Sequence, residues 1–137
     1  MTEGILFLCV ANSARSQMAE GLARRLLPER NIQSAGSKAT QVNPFAVMAL
    51  EEIGISTEKH FSKSVDSIDP TTVGTVITLC AEEVCPVFLG HTEHHHWPFL
   101  DPANVEGTDE EKLNSFRKIR DQIQERLSEF FGNGEKS

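Results

Sequence analysis

The chain has 137 residues, enough for one domain around one core, and its 39% hydrophobic and 24% charged residues are ordinary for a globular protein in water. A formal net charge of -7 argues against a nucleic-acid binder, and no apolar run approaches the ~20 residues of a membrane helix. Met1-Thr2-Glu3-Gly4 lacks the basic start of a secretory signal, so a cytoplasmic protein is expected, and three cysteines in a reducing compartment do not read as a disulfide framework.

Gly4 to Cys9 reads as a buried strand, apolar on both faces. From Gln17 to Leu27, Met18, Ala19, Leu22, Ala23, Leu26 and Leu27 recur at helical spacing. Glu20, Arg24 and Arg25 are assigned to the opposite, outer face, and Pro28 ends the helix. Ile32 to Ala35, closed by Gly36, is a second short strand. Asn43-Pro44 starts a second helix with Phe45, Val47, Met48, Leu50 and Ile53 on its apolar face, and Gly54 stops it. Met18 and Met48 are expected to fill the core.

The segment from Ser56 to Asp69 is expected to be a loop with a short helix near Val65–Ile68. Thr75 to Leu79 is a third strand ending on Cys80, and Pro86-Val87-Phe88-Leu89 is a weaker fourth candidate. Gly90 to Pro98, rich in histidine, is a loop or short strand, and Leu100 to Ala103 is turn-prone. From Thr108 a long helix begins with Asp109, Glu110 and Glu111 in its first turn, as the helix dipole favours. Leu113, Phe116, Ile119, Ile123, Leu127 and Phe130 mark its buried face, and Gly132-Asn133-Gly134 ends it. Residues 1–137 thus read as a single domain, frayed from about 132. Alternating strands and helices imply an α/β fold with a mainly parallel sheet, whose binding loops gather at the C-terminal strand ends.

Cys9 ends the first strand, and Arg15 and Ser16 stand just before the first helix. A thiol there meets backbone N–H groups and the positive end of the helix, which favour an anion and a thiolate. Arg15 adds a planar cationic fork suited to a tetrahedral oxyanion. The N–H groups of Val10, Ala11, Asn12, Ser13 and Ala14 would complete the shell, and Ser16 can donate to the thiolate. The pattern alone specifies a nucleophile facing a tetrahedral oxyanion.

The run Cys9-Val-Ala-Asn-Ser-Ala-Arg-Ser-Gln-Met-Ala-Glu-Gly21 resembles the loop and first helix of the thioredoxin-coupled arsenate reductases built on the low-molecular-weight tyrosine phosphatase fold. The resemblance continues, in order, through Ser34-Ala35-Gly36, Val42-Asn43-Pro44, Val76 to Cys80, Cys85-Pro86, His96-Trp97 and Asp101-Pro102-Ala103. It implies a three-layer α/β sandwich, a four-stranded parallel sheet flanked by helices, and reduction of arsenate to arsenite. Such reduction takes two electrons, which Cys80 and Cys85 would supply by passing a disulfide from Cys9–Cys80 to Cys80–Cys85. Thioredoxin, or glutaredoxin with glutathione, would then restore the thiols. Asp101, directed by Pro102, would be the general acid that protonates the departing oxygen.

The resemblance further implies that Asn12 bridges to Ser34 and holds the loop open. Some members of the family place a potassium ion nearby. Here Glu20 is present but Lys63 lies near the position of another acid, so an ammonium would take the cation's place, with no cofactor and no required metal. His91, His94, His95 and His96 lack the spacing of a zinc site and read as a solvated loop. A monomer is expected, with no nucleic-acid or membrane partner.

Other readings remain open at this point. Cys80 and Cys85 as core residues would leave a small phosphotyrosine phosphatase, although Ala103 stands where such enzymes often carry a tyrosine and Ala14 where they tend to carry a second cysteine. A non-enzymatic anion-binding module on the same fold is the other alternative.

Overall fold

The computed structural model describes residues 4–81 and 93–132. The chain runs β1 (Ile5–Cys9), α1 (Arg15–Leu26), β2 (Ile32–Gly36), α2 (Pro44–Glu51), β3 (Thr75–Thr78), β4 (Glu93–His96) and α3 (Asp109–Phe131). Short 3-10 turns occupy Val65–Ser67, Pro70–Thr72 and Pro102–Asn104.

The four strands form a parallel sheet in the order β2-β1-β3-β4. Leu8 stands opposite Ala35 on one side and Thr78 on the other. The chain leaves β1 for one neighbour and returns to the other, so the order reverses at β1. A parallel sheet opens a crevice beyond the strand ends at such a point, and Cys9 is the last residue of that strand.

Every side chain of β1 is buried, and the two-residue alternation of a strand sends them to two cores. Ile5 and Phe7 meet Met18 and Leu22 of α1, Ala46 and Leu50 of α2, and Phe116 and Ile123 of α3. Leu6 and Leu8 pack with Ala35, Val76, Ile68 and Val73, so the other face is covered by the segment carrying the first two 3-10 turns. Each such large apolar side chain contributes roughly 1.5–3 kcal/mol on burial.

The expected elements lie close to their observed bounds, and local chemistry accounts for most of the ends. Asn43 Oδ1 accepts from Phe45 N at 2.8 Å with Pro44 in the first helical position. Thr108 and Glu111 make a reciprocal capping box for α3, and Gly132 ends it at φ 71°. The fourth strand is Glu93–His96, within the histidine-rich stretch, and Pro86–Leu89 falls outside the described residues.

Three assignments to helix faces are corrected, those of Glu20, Met48 and Phe130. Glu20 is 2% exposed rather than on the outer face of α1, whereas Met48 is 47% exposed rather than in the core. Phe130, 41% exposed, packs edge-on against Trp97 and His95 at the end of α3. Among the described residues no helix is long and apolar enough to cross a membrane.

Candidate active site

The segment between β1 and α1 is held from outside. Val10 O accepts from Lys38 N at 2.9 Å, Ala11 O from Thr40 N at 3.2 Å and Ser62 Oγ at 3.0 Å, and Ser13 O from Asn43 N at 2.9 Å. Asn12 O accepts from Gln17 Nε2 at 3.1 Å and Ala14 O from Met18 N at 2.9 Å. With the carbonyls turned outward, no N–H from Ala11 to Ala14 has an acceptor among the described residues. Ala14 is the N-cap of α1 and brings no side-chain acceptor. A loop with these unpartnered donors at a helix N-terminus forms a concave anion cradle.

Two residues make that curl possible. Asn12 sits at φ 49°, a left-handed conformation that asparagine tolerates better than most residues. Gly36 lies beneath the loop, where a Cβ would stand 2.3 Å from Val10 O and 2.8 Å from Asn12 N. Only glycine leaves room for the backbone to pass.

The cradle opens into a cavity of about 980 Å³ lined by Cys9, Ser13, Arg15, Asp101 and Lys118, among others. Cys9 is a free, buried thiol. Arg15 is 3% exposed. Its Nη1 donates to Phe99 O at 2.9 Å and Leu79 O at 3.4 Å, and its Nη2 lies 3.7 Å from Asp101 Oδ2. Those carbonyls follow β4 and β3, so residues distant in sequence fix the direction of the guanidinium. Asp101 Oδ1 accepts from Ala103 N at 3.0 Å and caps the turn at Pro102–Asn104, which leaves Oδ2 as the atom beside Arg15.

A polar network supports the loop from behind. Ser16 Oγ is 2.9 Å from Cys9 Sγ. Asn12 Nδ2 donates to Ser16 Oγ at 2.7 Å and to Ser34 Oγ at 2.9 Å. Ser34 Oγ in turn donates to Glu20 Oε1 at 2.5 Å. Glu20 Oε2 accepts from Arg24 Nε at 3.0 Å, and Lys63 Nζ stands 3.8 Å from Oε1. Burial pushes the Lys63 ammonium below the usual lysine range, with the Glu20 charge opposing the shift. The burial of Glu20 follows from this network: its carboxylate has two cations and a hydroxyl, and no unpartnered buried side-chain polar atom occurs among the described residues.

Cys80 follows β3, is 1% exposed and is disulfide-bonded. Leu79 N donates to Leu8 O at 2.9 Å, so Cys9 and Cys80 continue adjacent strands at the same sheet edge. Cys85 and His91 lie outside the described residues. Among the described residues no three His, Cys, Asp or Glu side chains converge as metal ligands. His95 Nε2 instead pairs with Glu93 Oε2 at 2.6 Å, and His96 Nδ1 with Thr78 Oγ1 at 2.7 Å. Sequence reasoning missed Gln17 and His60. Gln17 is fully buried and bonds to Asn12, and His60 bonds to Gln17. A polar residue in the first turn of a helix was the sole signal of the first, and nothing local marks the second.

The sequence and the fold have counterparts in known proteins. Residues 4–137 match the model of the low molecular weight phosphotyrosine protein phosphatase family. The arsenate reductase of Halalkalibacterium halodurans is 46% identical over 133 residues, covering 95% of this chain and 96% of that one. The arsenate reductase of Bacillus subtilis is 44% identical over the same shares. A crystal structure of arsenate reductase from Archaeoglobus fulgidus superimposes with a TM-score of 0.80 at 26% identity, covering 93% of this chain and 98% of that one. The chain is therefore a member of the low molecular weight phosphotyrosine protein phosphatase family, and its curated relatives at 44–46% identity are arsenate reductases.

Proposed function

We propose that the chain reduces arsenate to arsenite through thiol chemistry centred on Cys9. Arsenate is held by the N–H groups of residues 10–14 and by Arg15, which neutralise its charge. The Cys9 thiolate attacks arsenic, and Asp101 protonates the departing oxygen, so an arsenic–sulfur bond replaces an arsenic–oxygen bond. Cys80 then attacks the Cys9 sulfur. The electron pair of the arsenic–sulfur bond leaves with arsenic as arsenite, and a Cys9–Cys80 disulfide forms. Cys85 attacks the Cys80 sulfur, which frees Cys9 and leaves a Cys80–Cys85 disulfide for thioredoxin, or for glutaredoxin with glutathione, to reduce. Asn12 and Ser34 keep the loop open, and the Lys63 ammonium beside Glu20 supplies the positive charge that a bound cation would otherwise bring.

The observation that carries this reading over a hydrolytic one is the pair of cysteines at the ends of neighbouring strands, with Cys9 a free thiol under Ser16 and Cys80 one bond from Leu79, which pairs to β1. Hydrolysis needs only the first of them. The test is the Cys85→Ser variant: one arsenite per chain followed by arrest is expected, and sustained turnover would overturn the relay. Phosphatase action is the second reading, favoured by the family model. Arsenate with thioredoxin and an aryl phosphate, assayed side by side, distinguish the two. Loss of two free thiols on adding arsenate to the fully reduced chain excludes a silent anion-binding module.

A further inference from the structure

The cavity beside Cys9 is charged differently from the molecule around it. Among the described residues its wall carries the charged side chains of Arg15, Asp101 and Lys118, in a chain of net charge -7. Arg15 Nη2 and Asp101 Oδ2 are 3.7 Å apart. Seen from a distance such a pair is a dipole, and its field fades faster than that of a single charge. The uncompensated charge of the wall is therefore Lys118.

Its own helix leaves Lys118 free. The residues one turn away on α3, Asn114 and Gln122, are uncharged. The nearest carboxylate along the helix, Asp121, accepts from Arg120 Nε at 2.9 Å. Arg117 and Arg120, the cations on either side, pair with Glu52 of the segment after α2. None of the ion pairs or hydrogen bonds among the described residues involves Lys118. Lys118 is exposed whereas Arg15 is 3% exposed, so the lysine stands at the solvent end of the cavity and the arginine at its floor.

The two ends have different work. The loop N–H groups and Arg15 hold an anion that has arrived, through contacts that act over hydrogen-bond distances. Before that point an acidic molecule repels a free oxyanion, over a screening length of about 10 Å at 0.1 M ionic strength. A cleft with low-dielectric walls focuses the field of a charge at its mouth and concentrates the counter-ion there.

We infer that Lys118 is a steering residue that draws the oxyanion through the cavity mouth against the charge of the whole molecule. The inference deepens the proposed function and rests on it for the identity of the oxyanion. Lys118 acts on the approach and not on the reacting atoms. A rim charge of this kind changes the association rate and its salt dependence.

The test alkylates Cys9 on the full, reduced chain with two reagents of similar size, anionic iodoacetate and neutral iodoacetamide, read by mass of the Cys9 peptide. Both consume the same thiolate, so the ratio of their rates cancels any change in ionisation and reports the potential on the path to the sulfur. In Lys118→Gln the iodoacetate-to-iodoacetamide ratio is expected to fall about threefold at ~0.01 M ionic strength and to converge on the parent at ~1 M, where the screening length is ~3 Å. Lys118→Glu lowers it about tenfold, and Lys118→Arg keeps the parent ratio. The concentration of inorganic phosphate that half-protects Cys9 rises in the same order. A role in packing alone would lower the melting temperature and leave the ratio unmoved, which overturns the inference. So does a loss that persists at high salt, or one that Lys118→Arg shares. Arsenate turnover by Cys9→Ser would sink the proposed function, whereas the reagent ratios read the field at Cys9 whatever the oxyanion is.

Discussion

Adding one methyl group at Gly36 tests whether the anion cradle depends on close backbone approach. In Gly36→Ala the new Cβ would stand 2.3 Å from Val10 O, 2.8 Å from Asn12 N and 2.9 Å from Val10 C. An ordinary carbon–oxygen contact begins near ~3.3 Å, so the two backbones must separate by about 1 Å. Neither side yields readily. Gly36 is paired with Cys9 at the end of β1–β2, its N–H donates to Lys63 O at 2.9 Å, and Val10 O is tied to Lys38 N at 2.9 Å. Overpacking of this kind costs about 1–3 kcal/mol of stability. The displaced atoms carry the N–H groups of the cradle, and a misplacement of about 1 Å at a reacting centre costs roughly 10²-fold in rate. The assay pairs a thermal melt with kcat/KM for arsenate. A melt lowered by several degrees and a rate loss near a hundredfold are expected. Turnover within about threefold of the parent, with an unchanged melt, would refute the claim that the cradle is held by this contact.

Asp101→Asn keeps the carbonyl oxygen that accepts from Ala103 N, so the turn at Pro102–Asn104 is retained while the acid is lost. The expected result is a drop in kcat of about 10²–10⁴ with a melting curve like the parent's, read by steady-state kinetics and calorimetry. Glu52 is held below its ordinary value of 4.5, first by the hydrogen bond from Arg117 and then, against opposing desolvation, by Arg120. A depressed carboxyl stabilises fully above its unfolded value, and the contribution is lost as pH falls through the folded one. Melting temperature should therefore fall with acid more steeply in the parent than in Glu52→Gln, and parallel curves would count against a role for this ion pair between α2 and α3.

The parts of the site that were legible are local in sequence. Cys9, Arg15 and Ser16 lie within one strand–loop–helix passage, where the apolar run of β1 and the periodicity of α1 fix their places. Asp101 was legible for a similar reason, because Asp-Pro encodes a turn and its own cap. Helix faces were less secure. The periodicity of α1 assigns Glu20 to solvent, yet Ser34 from β2 and Lys63 from a loop draw it inward, and Met48 errs in the opposite direction. Periodicity reports the average direction of a face and is blind to a polar partner on another element.

By itself the sequence determined the α/β class, the parallel strands, the cradle between β1 and α1, and the kind of anion chemistry a thiol and a guanidinium can perform there. Each follows from residues a few positions apart, where helix and strand geometry dictate distance. The tertiary structure alone decided which carbonyls aim Arg15 and that Gln17 meets His60 across 43 positions. A hydrogen bond depends on position to within tenths of an ångström. Packing of the sheet against its two cores sets that position, and no spacing in the chain encodes it.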